Sequence, residues 1–301
     1  MRAVVPGGAG FIGSHLVDAL VARGDDVLVL DNLATGKREN VADAATLREG
    51  DIRSDADAAF DEARPEVCFH LAAQADVTTS VTRPDYDADV NVIGIVRVLE
   101  AARRHGTQIV FTSTGGAMYG ECDEPAREDA PRLPVAPYGT SKLCGEEYLA
   151  TYNRLHGTTH VSLRLGNVFG PRQLAKLEGG VIAIFMNRLA AGESVTIFGD
   201  GGQQRDFVYV GDVVSGMLAA VGRDGGVFNI GSGVATSVND LYDACRRAAG
   251  TGDDPEYAPA RPGELYRSVL DPRRAEEELG WQRAHDLESG LRETWSWVSA
   301  A

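Results

Sequence analysis

Short apolar runs punctuate this chain at 3–5, 27–31, 67–71, 109–113 and 160–165. Most are uninterrupted by polar residues, the pattern of strands buried on both faces. Between them the spacing turns helical, over 12–23, over an amphipathic 90–104 and over 141–156. Strands of this kind alternating with helices predict an α/β fold, a doubly wound parallel sheet. Beyond residue 166 the pattern is more broken. Glycine and proline cluster at Gly170-Pro171, Gly179-Gly180, Gly199-Asp200-Gly201-Gly202 and Arg261-Pro262-Gly263, around helical stretches at 181–191 and 237–249 and a further β run at 227–230. With no internal repeat or low-complexity linker, we expect one domain over 1–166 to which 205–231 returns. A smaller interleaved C-terminal part is expected from 167–204 and 232–301, with one cleft between the two.

Composition narrows the class without changing that plan. A length of 301 residues suits one large domain or two merged ones. A hydrophobic share of 44% with 24% charged residues excludes disorder, collagen and a bare coiled coil. No apolar run approaches the roughly 18 residues of a membrane span. The first apolar run stops at Pro6-Gly7-Gly8, so it does not read as a secretory signal. The net charge of −15 argues against nucleic acid as a partner. Cys68, Cys122, Cys144 and Cys245 are widely spaced with no C-x-x-C, which predicts reduced thiols in a cytoplasmic protein and no zinc or disulfide framework. Lysine occurs only at 37, 142 and 176, against 29 basic residues in all, so each lysine draws scrutiny. Arginine does not replace a lysine whose proton affinity must be tuned.

Two motifs carry chemistry. Gly7-Gly8-Ala9-Gly10-Phe11-Ile12-Gly13 follows the first β run and opens the first helix as G-x-x-G-x-x-G, a variant of the dinucleotide fingerprint. Small residues there let backbone N–H groups and the helix N-terminus approach a pyrophosphate. Asp31 ends the second β run, where a carboxylate accepts hydrogen bonds from ribose hydroxyls and repels a 2′-phosphate, favouring NAD over NADP. Pro6 removes a donor beside this loop, tolerable at a strand's end, and Asp51-Ile52 is a weaker candidate for the adenine amino group. The expected sheet is therefore Rossmann-type. The second motif is Tyr138-Gly139-Thr140-Ser141-Lys142, Y-x-x-x-K, whose phenol and ammonium share one helix face. A lysine ammonium stabilises the phenolate and draws the tyrosine from its ordinary value near 10 towards neutrality. Such a tyrosine can take a proton from a sugar or alcohol hydroxyl as hydride leaves the carbon. Thr112-Ser113-Thr114, ending the preceding β run, offers a hydroxyl to the same reacting oxygen.

With these motifs the chain resembles the extended short-chain dehydrogenase/reductases, and within them the UDP-glucose (UDP-galactose) 4-epimerase group. The resemblance runs nearly end to end. It is carried by residues 7–15, 30–36, Asp51-Ile52, His70-Leu71-Ala72-Ala73-Gln74, Met118-Tyr119-Gly120-Glu121 and Pro137-Tyr138 with the lysine motif. It continues through 165–172, 197–201, 205–210, 228–231 and Arg261-Pro262-Gly263-Glu264. The resemblance implies that Tyr138 is the base, that Lys142 holds the nicotinamide ribose and tunes Tyr138, and that Thr114 is the hydroxyl partner. It implies NAD contacts at Gly7, Gly10, Phe11, Ile12, Gly13, Asp31, Asn32, Asp51, Ile52, Leu71, Ala72, Ala73, Gln74 and Asn91. For the UDP-sugar it implies Asn167, Gly180, Val181, Thr196, Ile197, Phe198, Arg205, Arg261 and Glu264, the arginines suiting a diphosphate. Ser268, seven residues after Arg261, falls where the family's sugar-pocket gate stands, with Tyr266 as the competing gate. One departure is the extra residue that Gly115-Gly116 adds before Tyr119, which leaves Thr114 and Ser113 competing for the catalytic hydroxyl, Thr114 preferred.

The implied reaction is epimerisation at C4 of a UDP-sugar through a 4-keto intermediate, with NAD kept bound. Sister nucleotide-sugar dehydratases carry Asp-Glu directly after the catalytic threonine, where this chain has Gly115-Gly116. The competing readings are a UDP-glucuronate 4-epimerase, another nucleotide-sugar epimerase or dehydratase, and a module that binds NAD without catalysis. The resemblance also implies a homodimer built on the helices around 90–104 and 141–156. No metal and no membrane partner are expected.

Overall fold

The computed structural model describes residues 1–175, 180–260 and 263–300. The chain begins with β1 (Arg2–Pro6), α1 (Phe11–Ala22), β2 (Asp26–Asp31), β3 (Thr46–Glu49), α2 (Ile52–Ala63) and β4 (Val67–His70). Two short helices, α3 (Val77–Thr82) and α4 (Pro84–Ala88), lead through a π-helical turn at Asp89–Ile93 into α5 (Gly94–His105). Next come β5 (Gln108–Thr114), α6 (Pro137–His156) and β6 (Val161–Leu165). Beyond them lie β7 (Asn167–Phe169), α7 (Val181–Ala191), β8 (Thr196–Phe198), β9 (Gln204–Arg205), β10 (Phe207–Tyr209) and α8 (Val210–Ala219). The described chain closes with β11 (Gly226–Ile230), β12 (Thr236–Ser237), α9 (Val238–Ala249), β13 (Glu256–Ala258), β14 (Arg267–Ser268) and α10 (Leu287–Val298).

Seven strands make one sheet in the order β11-β6-β5-β4-β1-β2-β3, every pair parallel. It is the doubly wound Rossmann-type sheet that the apolar runs predict. Successive side chains on a strand point to opposite faces, and each face has its own core. Ala3 and Val5 pack with Leu16, Val17 and Leu20 of α1 and Val213 and Met217 of α8. Val4, Ile109 and Phe111 pack with Phe60 of α2, Val98 and Leu99 of α5 and Leu149 of α6 on the other face. Strand β11 joins the seven-stranded sheet beside β6, whereas β9 and β10 pair in separate small sheets. The rest forms three sheets of two or three short strands, β10-β7, β12-β9-β14 and β13-β8. They surround a second core of α7, α9 and α10 residues, among them Phe185, Leu241 and Leu291.

The strand order reverses between β1 and β4, and ligands of such sheets bind outside the carboxyl ends of the strands at that point. There the Pro6 carbonyl accepts hydrogen bonds from the N–H groups of both Leu71 and Ala72, closing the two strand ends on one another. Among the described residues no helix is long and apolar enough to cross a membrane.

Candidate active site

The loop at the end of β1 is shaped by contacts that only glycine tolerates at two of its positions. Gly7 has φ +81°, and a Cβ there would lie 2.5 Å from the Ala72 nitrogen. A Cβ on Gly13 would lie 2.2 Å from the Gly7 carbonyl oxygen, so its absence lets α1 start hard against the loop. Gly10 differs: a Cβ there would meet only the Gly7 oxygen, at 3.3 Å. The open side of Gly10 is where a pyrophosphate can approach. Gly10 is also the N-cap of α1, makes no side-chain cap, and no acidic residue stands in the first turn, so the helix end is left for an outside anion. Phe11 packs into the second core, with Ile12 half-buried beside it, so both can serve such an anion only through their backbone.

Asp31 closes β2 nearly buried. Its Oδ2 accepts from the Ala9 N–H at 2.9 Å and its Oδ1 from the Leu33 N–H at 2.8 Å. Burial raises its proton affinity, and those two N–H groups pull it back. Its carboxylate thus ties the glycine loop after β1 to the end of β2. Asp51 is already engaged. It caps α2 and pairs with Arg53 at 2.7 Å, and Arg53 holds its carboxyl down at about 2. Asn32 donates to it at 3.3 Å. The Ile52 side chain is in the core, leaving its main chain for any adenine contact. Asn91, expected to touch NAD, is buried and its amide is spent on protein. Its Oδ1 accepts from the Gln74 N–H at 2.8 Å, and its Nδ2 donates to the Gln74 carbonyl, Asp87 and Ser141. Asn91 therefore positions the Leu71-Ala72-Ala73-Gln74 loop against α6.

The helix carrying Y-x-x-x-K begins at Pro137, earlier than its apolar spacing suggested, so Tyr138 lies in its first turn and is half-buried. Lys142 is 3% exposed. Its Nζ donates to the Thr112 carbonyl at 2.9 Å and sits 4.8 Å from the Phe111 ring centroid. Burial lowers Lys142 to about 8, with the Asp87 and Glu146 carboxylates opposing that fall. Ser113 is 4% exposed, and its buried hydroxyl has no partner among the described residues. Thr114 is half-buried at the strand's end, and its Oγ1 accepts from the Ala117 N–H at 3.2 Å.

The residues expected to hold the UDP-sugar lie in the second half of the chain, and the structure brings some of them together. The Asn167 N–H and side-chain amide both donate to the Asp206 carbonyl, and a Cβ on Gly116 would approach that amide at 3.8 Å. Arg205, on β9, pairs with Glu264 at 3.3 Å. Burial works against the Arg205 charge, with Glu264 and Glu121 supporting it. Ser268 lies opposite Arg205 on β14, and its hydroxyl donates to the Gly116 carbonyl at 3.4 Å. Tyr266, its rival, is exposed. Gly180 caps α7, Val181 begins it, and a Cβ on Gly180 would press 2.5 Å against Gln173. Of Thr196, Ile197 and Phe198 on β8, Ile197 is buried in the second core, while its two neighbours are half-buried. Arg261 lies outside the described residues.

Three supports have no role in the sequence reading, although Glu121, Tyr119, Asp206 and Asn229 fall inside the stretches that carry the resemblance. Buried Asp206 accepts from Ser232, Gly233 and Leu270, fastening β14 to the end of β11. Glu121 accepts from the Tyr266 and Arg267 N–H groups while Arg267 donates to the Cys122 and Asp123 carbonyls, so the turn after β5 is clasped to β14. Arg164 and Glu146 form a buried pair at 2.7 Å, extended through Tyr119 to Asn229. A charge inside the apolar run 160–165 is the one signal that could have disclosed the last.

Residues 3–231 match the profile of the NAD dependent epimerase/dehydratase family. The UDP-glucose 4-epimerase of Mycolicibacterium smegmatis is 45% identical over 304 residues, covering 98% of this chain and 97% of that protein. A Thermotoga maritima UDP-glucose 4-epimerase solved with UDP-glucose superposes with TM-score 0.96 at 44% identity, covering 99% of this chain and 98% of its own. The Thermus thermophilus UDP-glucose 4-epimerase in complex with NAD gives TM-score 0.94 at 45% identity, with both chains fully covered.

Proposed function

This chain belongs to the NAD dependent epimerase/dehydratase family, and from that premise we propose that it interconverts UDP-glucose and UDP-galactose by epimerisation at C4. The observation that carries the reading is what one parallel sheet carries at its carboxyl edge: the glycine loop after β1 with the uncapped start of α1, half-buried Thr114 at the end of β5, and Lys142 of the Y-x-x-x-K helix anchored on the Thr112 carbonyl. The full-length likeness to UDP-glucose 4-epimerases supports it.

The residues present fit NAD. Gly10 leaves space for its pyrophosphate at the α1 N-terminus, and Asp31, the carboxylate ending β2, suits ribose hydroxyls and disfavours a 2′-phosphate. When bound, NAD supplies a reversible acceptor for hydride from C4. Tyr138 takes the C4 hydroxyl proton as the carbon is oxidised and returns it to the same oxygen when the ketone is reduced from its other face. Lys142, held by the Thr112 carbonyl, favours the phenolate by its charge, and the Thr114 hydroxyl steadies the reacting oxygen. Arg205 and Glu264, paired at 3.3 Å, are assigned to the diphosphate and its ribose, and Arg205 is half-buried, which strengthens its pull on an anion. Gly115-Gly116 follows Thr114 where a dehydratase carries its acid, and a Cβ on Gly115 would require the Leu270 side chain to shift.

Ser268 is small and borders the Gly116 turn, so the pocket beside C2 of the sugar accommodates an acetamido group. We further assign 1–166, with 205–231 returning to it, to the NAD-binding domain and 167–204 with 232–301 to the nucleotide-sugar part, with Arg205 at the seam reaching the sugar nucleotide. The exposed Tyr148 and Leu155 share one face of α6, and Ile93 enters α5 exposed; this face pairs two copies in a homodimer. Four free cysteines suit a cytoplasmic setting. The decisive assay offers UDP-galactose, UDP-GlcNAc and UDP-glucuronate to the protein as purified, with sedimentation reporting its mass. UDP-galactose should yield UDP-glucose without added reductant, and NADP should not replace NAD after stripping. UDP-GlcNAc should turn over in the native protein and lose ground to UDP-glucose in Ser268→Tyr. Absence of any epimer from UDP-galactose in NAD-loaded protein would refute the hexose assignment.

A further inference from the structure

We propose that Asp87, a buried carboxylate on α4, is the counter-ion of Lys142 and a positioning residue for the catalytic helix. Asp87 is 1% exposed, and its Oδ1 accepts from Gln74 Nε2 at 2.9 Å and Asn91 Nδ2 at 3.1 Å. Both donors are neutral amides. Among the described residues no arginine, lysine or histidine forms an ion pair with it. A carboxylate buried this far with only neutral partners is costly unless a cation balances it. Lys142 is its counterpart in charge, a buried ammonium whose hydrogen bond goes to a neutral carbonyl, and it would balance Asp87 across the interior rather than in direct contact. The two groups are joined by one relay. The Asn91 amide that donates to Asp87 also donates at 3.1 Å to Ser141, the residue before Lys142, and α4 packs directly on α6.

The other charged and titratable groups around Lys142 are committed or neutral. Glu146, one turn along α6, is held at two oxygens by Arg164 of β6. His70 on β4 is kept neutral by burial, reinforced by Lys142 itself, and falls to about 3. Asp89 on the π-helical turn pairs with Arg53, and Asp76 caps α3. Tyr138 is the group that Lys142 serves. Asp87 therefore remains as the charge that opposes the burial of Lys142, and it is the largest such influence on it. Its loss should let Lys142 shed its proton at lower pH and withdraw the charge that favours the Tyr138 phenolate.

The scarcity of lysine makes this measurable. Protein labelled with ¹³Cε-lysine has three lysine signals, and Lys142→Met identifies the one from Lys142. Asp87→Asn keeps an oxygen for Gln74 and Asn91 but removes the charge. The native Lys142 signal should titrate near 8, and in Asp87→Asn its midpoint should fall by about one unit or more. Asp87→Glu should stay near the native value, and Asp87→Ser provides a second neutral variant if Asp87→Asn does not fold. The alkaline limb of kcat should move down by the same amount, an arm that rests on the epimerase reading; the lysine titration does not need it. A Lys142 midpoint unchanged in a folded neutral variant would overturn the proposal, whatever the enzyme's substrate.

Discussion

Tyr138 and Lys142 stand four residues apart on α6, and their division of work is testable at the phenol oxygen. Removing that oxygen leaves the ring, its packing and the Lys142 anchor intact. Tyr138→Phe should therefore fold and retain NAD while kcat falls by at least ~10²-fold, the low end for a positioned acid–base group. Near-native kcat in the folded variant would take Tyr138 out of the proton-transfer role. The i, i+4 spacing makes this pair legible in the sequence alone, because helical geometry is local. Asn91 and Asp51 are legible there only as candidates. Asn91 spends its amide on Gln74 and Ser141, and Asp51 spends its carboxylate on Arg53 two residues along, and neither commitment has a pattern in the chain. The choice between Ser113 and Thr114 likewise turns on exposure, which we take to favour Thr114.

Elements are legible where both faces of a strand are apolar. Strand β3, Thr46–Glu49, shows no such run because it is the sheet's edge and half its residues stay exposed. Strands of two or three residues, such as β9, β12 and β14, are too short to show any period, yet they carry Arg205 and Ser268. Helix α6 shows how an element is held for catalysis. Its Glu146 reaches the Arg164 guanidinium of β6, which also donates to Tyr119 and the Glu128 carbonyl, tying the turn after β5 to the same strand. Truncating one member strands the other's charge in the interior, so Arg164→Met should cost about 3–5 kcal/mol in chemical denaturation. The double variant Arg164→Met/Glu146→Leu leaves no stranded charge and should recover much of that loss, short of what Tyr119 and Glu128 lose. If the double variant is as unstable as the sum of the singles, the pair is not a coupled unit.

At the scale of the molecule, two buried imidazoles flank β5 and make stability fall with acid. His160 lies just before β6, and its Nδ1 accepts from the Ile109 N–H at 3.0 Å, so the ring is held neutral in that bond. Burial pulls His160 down to about 4 and His70, on β4, to about 3. The unfolded chain binds a proton at each near 6.5, whereas the folded chain does not until well below it. The unfolded state therefore carries more protons between those values. The stability from each neutral ring is complete above about pH 6.5 and is lost as pH falls towards the folded value, by up to ~1.4 kcal/mol per unit. Depressed carboxylates such as Asp51 slope the same way, so the native curve alone does not isolate a histidine. His160→Asn keeps an acceptor for Ile109 and removes the titration, and the carboxylates cancel in the difference between the two proteins. Urea denaturation at pH 7 should find the variant less stable, and at pH 5 that gap should narrow by roughly 2 kcal/mol. A gap of equal size at both pH values would mean that His160 protonates in the fold as readily as in the open chain.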